Sequence, residues 1–515
     1  AGVLLGIAWW PRATRNLPIF NRTLLRWATI ILVGFALVSV QLVRIQIVQS
    51  ARTLDRVGEA PNGEVVTNPR ERLRALEMQR GRILDREGRV LADTVQLDDG
   101  TFARTWPELS TAGLIGYYSP SLYGATNIEE AFDAYLSGEE GGDPAEEWLN
   151  GVLNEEQRGY DLALTIDLDL QQQADDLLAG RPGAVVLLDA ETGAVLAMVG
   201  APTFDPNRLY ANLGQQTNDE IEAIQAYWAE INADESGPLI FRPTQGVYNP
   251  GSTFKTVTAS ALVDTGEATA ETVYRDEGIL EVEGRVIEEA NRPDPNTVNF
   301  TLEESYAYSL NVVFAQIGLQ LGSDDLLDYA NRFGIGERIP FDIPTTSDSQ
   351  VASSREALNN RALLADTGFG QGEILVSPLQ MALVAATVAN DGVRPAAHVV
   401  DSVLGEDGEV LDSLNPDDGE RVMSEESAAT MQRLMQASVD YGYARGVTVE
   451  AENVGGKTGT AEVGEGEPHS WFTGYAEAGE RSYAVAVIVE RGGPGSQAAL
   501  PIGSAMLQAV LAQAP

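Results

Sequence analysis

Lys255 and Lys457 are the only two lysines in 515 residues; the other 32 of the 34 basic side chains are arginine. A chain that has exchanged nearly every cation for Arg keeps Lys where Arg cannot substitute. An ammonium differs from a guanidinium in being a compact point charge and in being able to lose its proton when desolvated. Both properties belong to active sites more than to surfaces, so a fold for this chain should set two positions about two hundred residues apart beside each other. Lys255 closes Pro250-Gly251-Ser252-Thr253-Phe254-Lys255, an S-x-x-K element. Lys457 opens Lys457-Thr458-Gly459-Thr460, a K-T-G element.

Composition removes several classes of function. The formal net charge of −42 excludes nucleic acid as a partner, because phosphate binding needs a basic surface. The acidity itself reads as a hydrated surface. There is no cysteine, hence no thiol nucleophile, thiolate metal site or disulfide, which suits an extracytoplasmic setting. Two histidines, His398 and His469, are too few for a His-rich metal centre and leave little room for a Ser-His-Asp triad. Neither a metal nor a cofactor is expected.

Along the chain, residues 27–43 are apolar apart from Gln41 and are bounded by Arg26 and Arg44. With the generous limits 24–48 this is one transmembrane helix near the lower length for a span. Arg12, Arg15, Arg22 and Arg26 before it, against Arg44, Arg52 and Arg56 after it, orient the N-terminus inward. No small-residue cleavage site follows at once, so the segment reads as an uncleaved anchor in the cell membrane. Residues 1–23 are a cytoplasmic segment, and the apolar run 2–10, stopped by Pro11, reads as an amphipathic tail or as the last turns of a preceding membrane helix. Residues 49–158 form a separate N-terminal domain. In it Asp85-Arg86-Glu87-Gly88 makes a hairpin turn between residues 82–84 and 90–92. Gly138-Glu139-Glu140-Gly141-Gly142-Asp143-Pro144 is a solvated acidic loop.

Residues 159–515 form the third part. Strands are expected at 162–166, 184–189, 194–199 and 483–489, and helices at 171–178 and 504–511, with Glu191-Thr192-Gly193 as a turn. Strands at both ends with helical material between them read as α+β or α/β, one sheet being assembled from distant segments.

The chemistry follows from spacing. Pro250-Gly251 places Ser252 at the start of a helical stretch running to about Val263. Positions i and i+3 share a helix face, so Ser252 and Lys255 converge, and a neutral, desolvated lysine can take the serine proton. The N–H of Ser252, unpaired at the helix start, can help hold an oxyanion. Between the two lysine motifs stands Ser309-Leu310-Asn311, for which helix capping is the bland alternative. Lys457-Thr458-Gly459-Thr460 belongs on a strand edge. There Gly459 lets a substrate backbone approach, the threonine hydroxyls bind a carboxylate, and Lys457 adds a fixed positive potential.

S-x-x-K, Ser-x-Asn and K-T-G in this order resemble the class B, monofunctional penicillin-binding proteins, closest to the PbpA-type subgroup. The likeness extends over residues 60–515. It includes Arg80-Gly81 through Asp85-Arg86, Gly88 and Leu91-Ala92; Leu164-Thr165-Ile166-Asp167 with Leu170-Gln171; and Gly183-Ala184 to Ala197-Met198. It continues through Thr367-Gly368-Phe369-Gly370-Gln371-Gly372, Ser377-Pro378-Leu379-Gln380-Met381-Ala382 and His469-Ser470-Trp471-Phe472-Thr473-Gly474-Tyr475. Two places depart from the family pattern: Phe241-Arg242-Pro243 stands for Asn-Arg-Ala, and Asn249 for the first proline of Tyr-Pro-Pro-Gly-Ser.

The resemblance implies a β-lactamase-like serine transpeptidase domain, with a central antiparallel sheet flanked by helices, on an elongated N-terminal pedestal. It implies cross-linking of peptidoglycan stem peptides through a Ser252 acyl-enzyme with release of D-Ala, and acylation of Ser252 by β-lactams. Lys255 would be the general base, Ser309 a proton relay, and Asn311 the residue orienting Lys255 and the substrate amide. Lys457, Thr458 and Thr460 would recognise the substrate carboxylate, and the N–H groups of Ser252 and Thr460 would form the oxyanion hole. By analogy a polytopic glycosyltransferase of the shape, elongation and division (SEDS) family is the expected partner. His469 is read as structural. A class A β-lactamase would need Glu-x-x-Leu-Asn, and here Glu356-Ala357-Leu358-Asn359 sets the glutamate one place too late. A D,D-carboxypeptidase and a membrane-tethered β-lactam sensor remain as alternatives.

Overall fold

A computed structural model describes residues 18–44, 58–59, 65–66, 78–98, 100–141, 158–211, 216–346, 348–414, 416, 419–464, 466–479 and 481–513. The chain divides into two compact units, residues 1–76 and 77–515. In the first, α1 spans Ile19–Val43, and Gly58–Glu59 pairs antiparallel with Val65–Val66. Ile30, Ile31, Leu32, Phe35, Leu37, Val38 and Val40 of α1 are all exposed. Among the described residues no helix is long and apolar enough to cross a membrane. The segment expected as the acidic loop is described only to Gly141, and residues 142–144 lie outside the described residues.

In the second unit the hairpin expected near residue 85 is present. β1 (Ile83–Leu84) turns into β2 (Val90–Gln96), with Asp85 Oδ1 accepting from the N–H groups of Glu87 at 2.9 Å and Arg89 at 2.8 Å. Gly88, at φ +83°, supplies the left-handed residue of that turn. β2 pairs with β3 (Phe102–Thr105), and β1 pairs parallel with β4 (Asp161–Leu164). Strands from both sides of residue 158 therefore share one sheet. It is completed by β9 (Val400–Leu404) and β10 (Val410–Ser413), in the order β10-β9-β4-β1-β2-β3. α2 (Leu168–Leu178) follows β4, capped by Asp167, whose carboxylate accepts from the N–H groups of Asp169 and Leu170.

The sheet that carries the site is built from the two ends of the catalytic segment. β5 (Gly183–Asp189) and β6 (Val195–Ala201) form a hairpin near the start. β11 (Asn453–Ala461), β12 (His469–Ala478) and β13 (Arg481–Val489) form a meander near the end. β5 pairs antiparallel with β13, joining them in the order β6-β5-β13-β12-β11. The apolar runs in the sequence reflect burial on both faces. Ala184, Val186 and Leu188 belong to one core, with the inner helices. Val185 and Leu187 belong to the other, with Leu170, Ala174 and Leu178 of α2 and Leu500, Met506 and Leu507 of α8 (Ala499–Gln513).

The larger core holds α3 (Lys255–Asp264), α4 (Leu302–Ala307), α5 (Asn311–Arg332), α6 (Pro378–Ala389) and α7 (Glu425–Asp440). All twelve residues of α6 are buried, so this helix has no polar face with which to specify its ends. Its start is fixed by a capping box: Gln380 N–H donates to Ser377 Oγ, and Ser377 N–H donates to Gln380 Oε1 at 2.8 Å. Between α3 and α4 a short hairpin, β7 (Ile279–Val282) and β8 (Arg285–Glu288), stands away from both sheets. The architecture is α+β, with a central antiparallel sheet flanked by helices. α2 and α8 extend beyond their sequence-expected limits, because the first turn of each buries residues such as Leu168, Leu500 and Ile502.

Candidate active site

Ser252 lies in a 3₁₀ turn, Gly251–Phe254, and the α-helix begins only at Lys255. This differs from the α-helical start expected from sequence, and it tightens the geometry: at three residues per turn, side chains at i and i+3 eclipse. Gly251 is at φ +53°, and a Cβ there would stand 2.7 Å from the carbonyl oxygen of Thr460. The turn therefore packs directly on the K-T-G strand. Asn249, the departure from the family pattern, closes the turn by accepting from Gly251 N–H through Oδ1 at 3.1 Å. Its own carbonyl accepts from Trp471 Nε1 at 3.0 Å.

Lys255 is fully buried. Its Nζ lies 2.7 Å from both the Ser309 carbonyl and Asn311 Oδ1, and 3.1 Å from Ser309 Oγ. Burial, reinforced by the charge of Lys457, pushes the Lys255 ammonium well below the ordinary lysine range, while Glu289 opposes the shift. A neutral amine has two N–H donors and one lone pair. Two of its neighbours are pure acceptors and the third, the Ser309 hydroxyl, can donate, so the set fits unprotonated Lys255. Neither Ser309 nor Asn311 caps α5, because the N-cap position is Leu310 and has no side-chain cap. Capping, the bland alternative, is thus excluded for both residues. Ser309 sits at φ +57°, a left-handed conformation costly for a residue with a Cβ.

The K-T-G strand β11 is the edge of its sheet, as the spacing predicts. Two details differ from the sequence reading. Lys457 is fully buried with Nζ 3.1 Å from the Thr458 carbonyl and 5.7 Å from the Tyr306 ring centroid. Burial lowers its pKa to about 7, so its charge is conditional on pH rather than fixed. Gly459 is needed for a different neighbour. A Cβ there would lie 2.9 Å from the Pro250 carbonyl oxygen and 3.1 Å from Trp471 Cβ, so the room is taken by the Ser252 turn rather than by substrate.

Ser252, Ser309, Asn311, Thr458 and Thr460 line one cleft of about 620 Å³, with Lys255 and Lys457 buried behind them. Phe369 and Gln371 of the Thr367–Gly372 run form part of another wall. β8 supplies the rim, where Arg285 Nε donates to both carboxylate oxygens of Asp366 at 3.1 and 3.2 Å. Glu356 is exposed and does not line the cleft. His469 Nδ1 accepts from Arg491 N–H at 3.1 Å, outside the lysine cluster, and its ring stands edge-on to Tyr248. Sequence reasoning missed the aromatic rings near the two ammonium groups, Phe314 at 5.3 Å from Lys255 Nζ and Tyr306 beside Lys457. It also missed Glu289 and Asn291, which no local spacing marks.

The family model for the penicillin binding protein transpeptidase domain matches residues 183–511, and that for the penicillin binding protein A dimerisation domain matches residues 80–162. The peptidoglycan D,D-transpeptidase PbpA of Mycolicibacterium smegmatis is 32% identical over 463 residues, covering 86% of this chain and 91% of that protein. PbpA of Mycobacterium tuberculosis is 31% identical, covering 87% and 92%. A solved imipenem acyl-enzyme complex of penicillin-binding protein A from M. tuberculosis superposes with a TM-score of 0.77 at 30% identity, covering 84% of this chain and 99% of that one.

Proposed function

The chain belongs to the penicillin-binding protein transpeptidase family, and on that premise we propose that it is a peptidoglycan D,D-transpeptidase working through an acyl-enzyme on Ser252. The observation that carries the reading is the buried Lys255 amine held among Ser309 and Asn311 at the floor of the Ser252 cleft. Neutral Lys255 takes the proton of Ser252 Oγ as that oxygen attacks the carbonyl carbon of the penultimate D-Ala. The N–H groups of Ser252 and Thr460 hold the developing oxyanion, a reading supported by the packing of the Ser252 turn on the Thr460 carbonyl. Collapse breaks the C–N bond to the terminal D-Ala. The leaving amine gains the proton from Lys255 through Ser309 Oγ, 3.1 Å from Nζ. An acceptor amine of a neighbouring stem peptide then attacks the ester, its proton returns by the same route, and Ser252 Oγ is released. Thr458 and Thr460 bind the substrate carboxylate, and protonated Lys457, buried behind them, attracts it by its charge. A β-lactam enters the same path, its opened ring remaining on Ser252.

The exposed apolar residues of α1, with the uncharged run 27–43, support an anchor in the cell membrane with the catalytic segment outside. A polytopic SEDS-type glycosyltransferase is the partner class that would supply glycan strands, since residues 49–158 are too few to hold a glycosyltransferase domain. The β-lactamase reading lacks its base, since Glu356 lies outside the cleft. A fluorescent penicillin tests the proposal: stable labelling of the protein, lost in Ser252→Ala and Lys255→Arg, supports it. Labelling that survives Ser252→Ala overturns it, and rapid release of the label moves the reading to a hydrolase.

A further inference from the structure

The 22-residue helix α5 starts beneath the cleft without a cap of its own. Its Val312 N–H donates instead to Glu289 Oε2 at 3.0 Å, from a residue that follows directly on β8. The other carboxylate oxygen accepts from Asn291 N–H at 2.8 Å. Asn291 Nδ2 in turn donates to the Ser309 carbonyl at 3.1 Å, the same oxygen that Lys255 Nζ contacts at 2.7 Å. One carboxylate thus binds the first turn of α5 on one side and, through Asn291, the strained residue of the Ser-x-Asn turn on the other. A carboxylate at a helix N-terminus is favoured by the helix dipole, and this one also faces the lysine cluster.

We propose that Glu289 is a positioning residue of the transpeptidase site, fixing the Ser309–Asn311 turn on Lys255 and standing as the counter-charge to that lysine. The inference rests on Lys255 being the base that activates Ser252. The charged and titratable groups around the pair are Lys457, whose charge opposes protonation of Lys255, Asp276, which adds to the negative field at Glu289, and Tyr443. Glu289 raises the proton affinity of Lys255 against the burial and the Lys457 charge that lower it. Removing its charge alone therefore makes Lys255 lose its proton at lower pH.

The test measures the second-order rate of acylation by a fluorescent penicillin in the full chain from pH 4.5 to 6.5, below the range in which Lys457 loses its charge. Glu289→Gln should move the acidic limb of the profile down by about half a pH unit or more and lower the plateau severalfold, since one accepted hydrogen bond is lost. Asn291→Ala removes the link to the Ser309 carbonyl and no charge, so it should lower the plateau by about tenfold while leaving the limb in place. A Glu289→Gln profile unmoved in both limb and plateau overturns the proposal. If Glu289→Gln does not fold, an Asn291→Ala plateau within twofold of the parent overturns it. Ser252→Ala, run alongside, separates the two claims: labelling of that variant sinks the serine mechanism itself, whereas its silence with an unmoved Glu289→Gln sinks only the role of Glu289.

Discussion

Lys457 offers the most quantitative consequence of this site. Its ammonium is completely buried, with a single carbonyl at 3.1 Å and an aromatic ring as neighbours, and its pKa falls from 10.5 to about 7 by desolvation. Each pKa unit is about 1.4 kcal/mol, so burial opposes the charged form by about 5 kcal/mol. In the empty cleft at pH 7 about half of the molecules carry the charge, and at pH 8.5 about 3% do. If binding the substrate carboxylate needs that charge, acylation by an anionic penicillin should fall about 16-fold between pH 7 and pH 8.5, approaching tenfold per unit. A bound carboxylate favours the ammonium, so the loss should appear in the second-order rate constant, which reports the free enzyme, and far less in the saturated rate. A β-lactam with its carboxylate esterified should show no such limb. Lys457→Arg keeps a permanent charge and should abolish the limb up to pH 9 while lowering the rate, because a guanidinium does not fit the ammonium's place. A profile for the anionic penicillin that stays flat from pH 6.5 to 9 refutes the reasoning.

The same burial has a thermodynamic sign. A depressed lysine pKa makes the native state bind fewer protons than the unfolded chain between pH 7 and 10.5, so stability rises with pH across that window and is lowest once Lys457 is charged. Lys457→Met should therefore be stabilising relative to the parent at pH 7 and below, by up to about 5 kcal/mol, with the difference vanishing above pH 10.5, as read by urea unfolding. Gly251→Ala should destabilise by about 2 kcal/mol in thermal unfolding and abolish labelling, because its Cβ would meet the Thr460 carbonyl and its φ is left-handed. Asn249→Pro, which restores the family residue, removes the acceptor for Gly251 N–H and should slow acylation severalfold without changing the slow release of the label. Glu356→Gln should leave both acylation and release rates unchanged.

What the sequence discloses here is chemistry and local pattern. The hairpin at Asp85 and the edge position of β11 follow from residues near each other in the chain, as do the hairpin strands β5 and β6. Lys255 and Lys457 were identifiable because the composition had removed every other lysine, and Ser309 and Asn311 because their order and spacing matched a family pattern. The 3₁₀ form of the Ser252 turn was hidden, because it is set by the close approach of Thr460, more than two hundred residues away. Gly459 looked like clearance for a substrate, and only the packed structure shows the Pro250 carbonyl in that space. The pKa of Lys457 depends on desolvation, which no local spacing encodes. Glu289 was invisible for the same reason: it is the second residue of an ordinary acidic pair, Glu288-Glu289, at a hairpin's end, and its meaning comes from the uncapped helix it meets.

Ser252 as the acylated residue is the claim on which the rest depends, and peptide mapping of the penicillin adduct tests it most directly. The protein is incubated with penicillin G, digested with trypsin, and the adduct located by fragment masses. A single adduct is expected in the peptide that ends at Lys255, borne by Ser252, and absent from Lys255→Arg treated for the same time. An adduct on any other residue, or equal labelling of the Lys255→Arg protein, contradicts it.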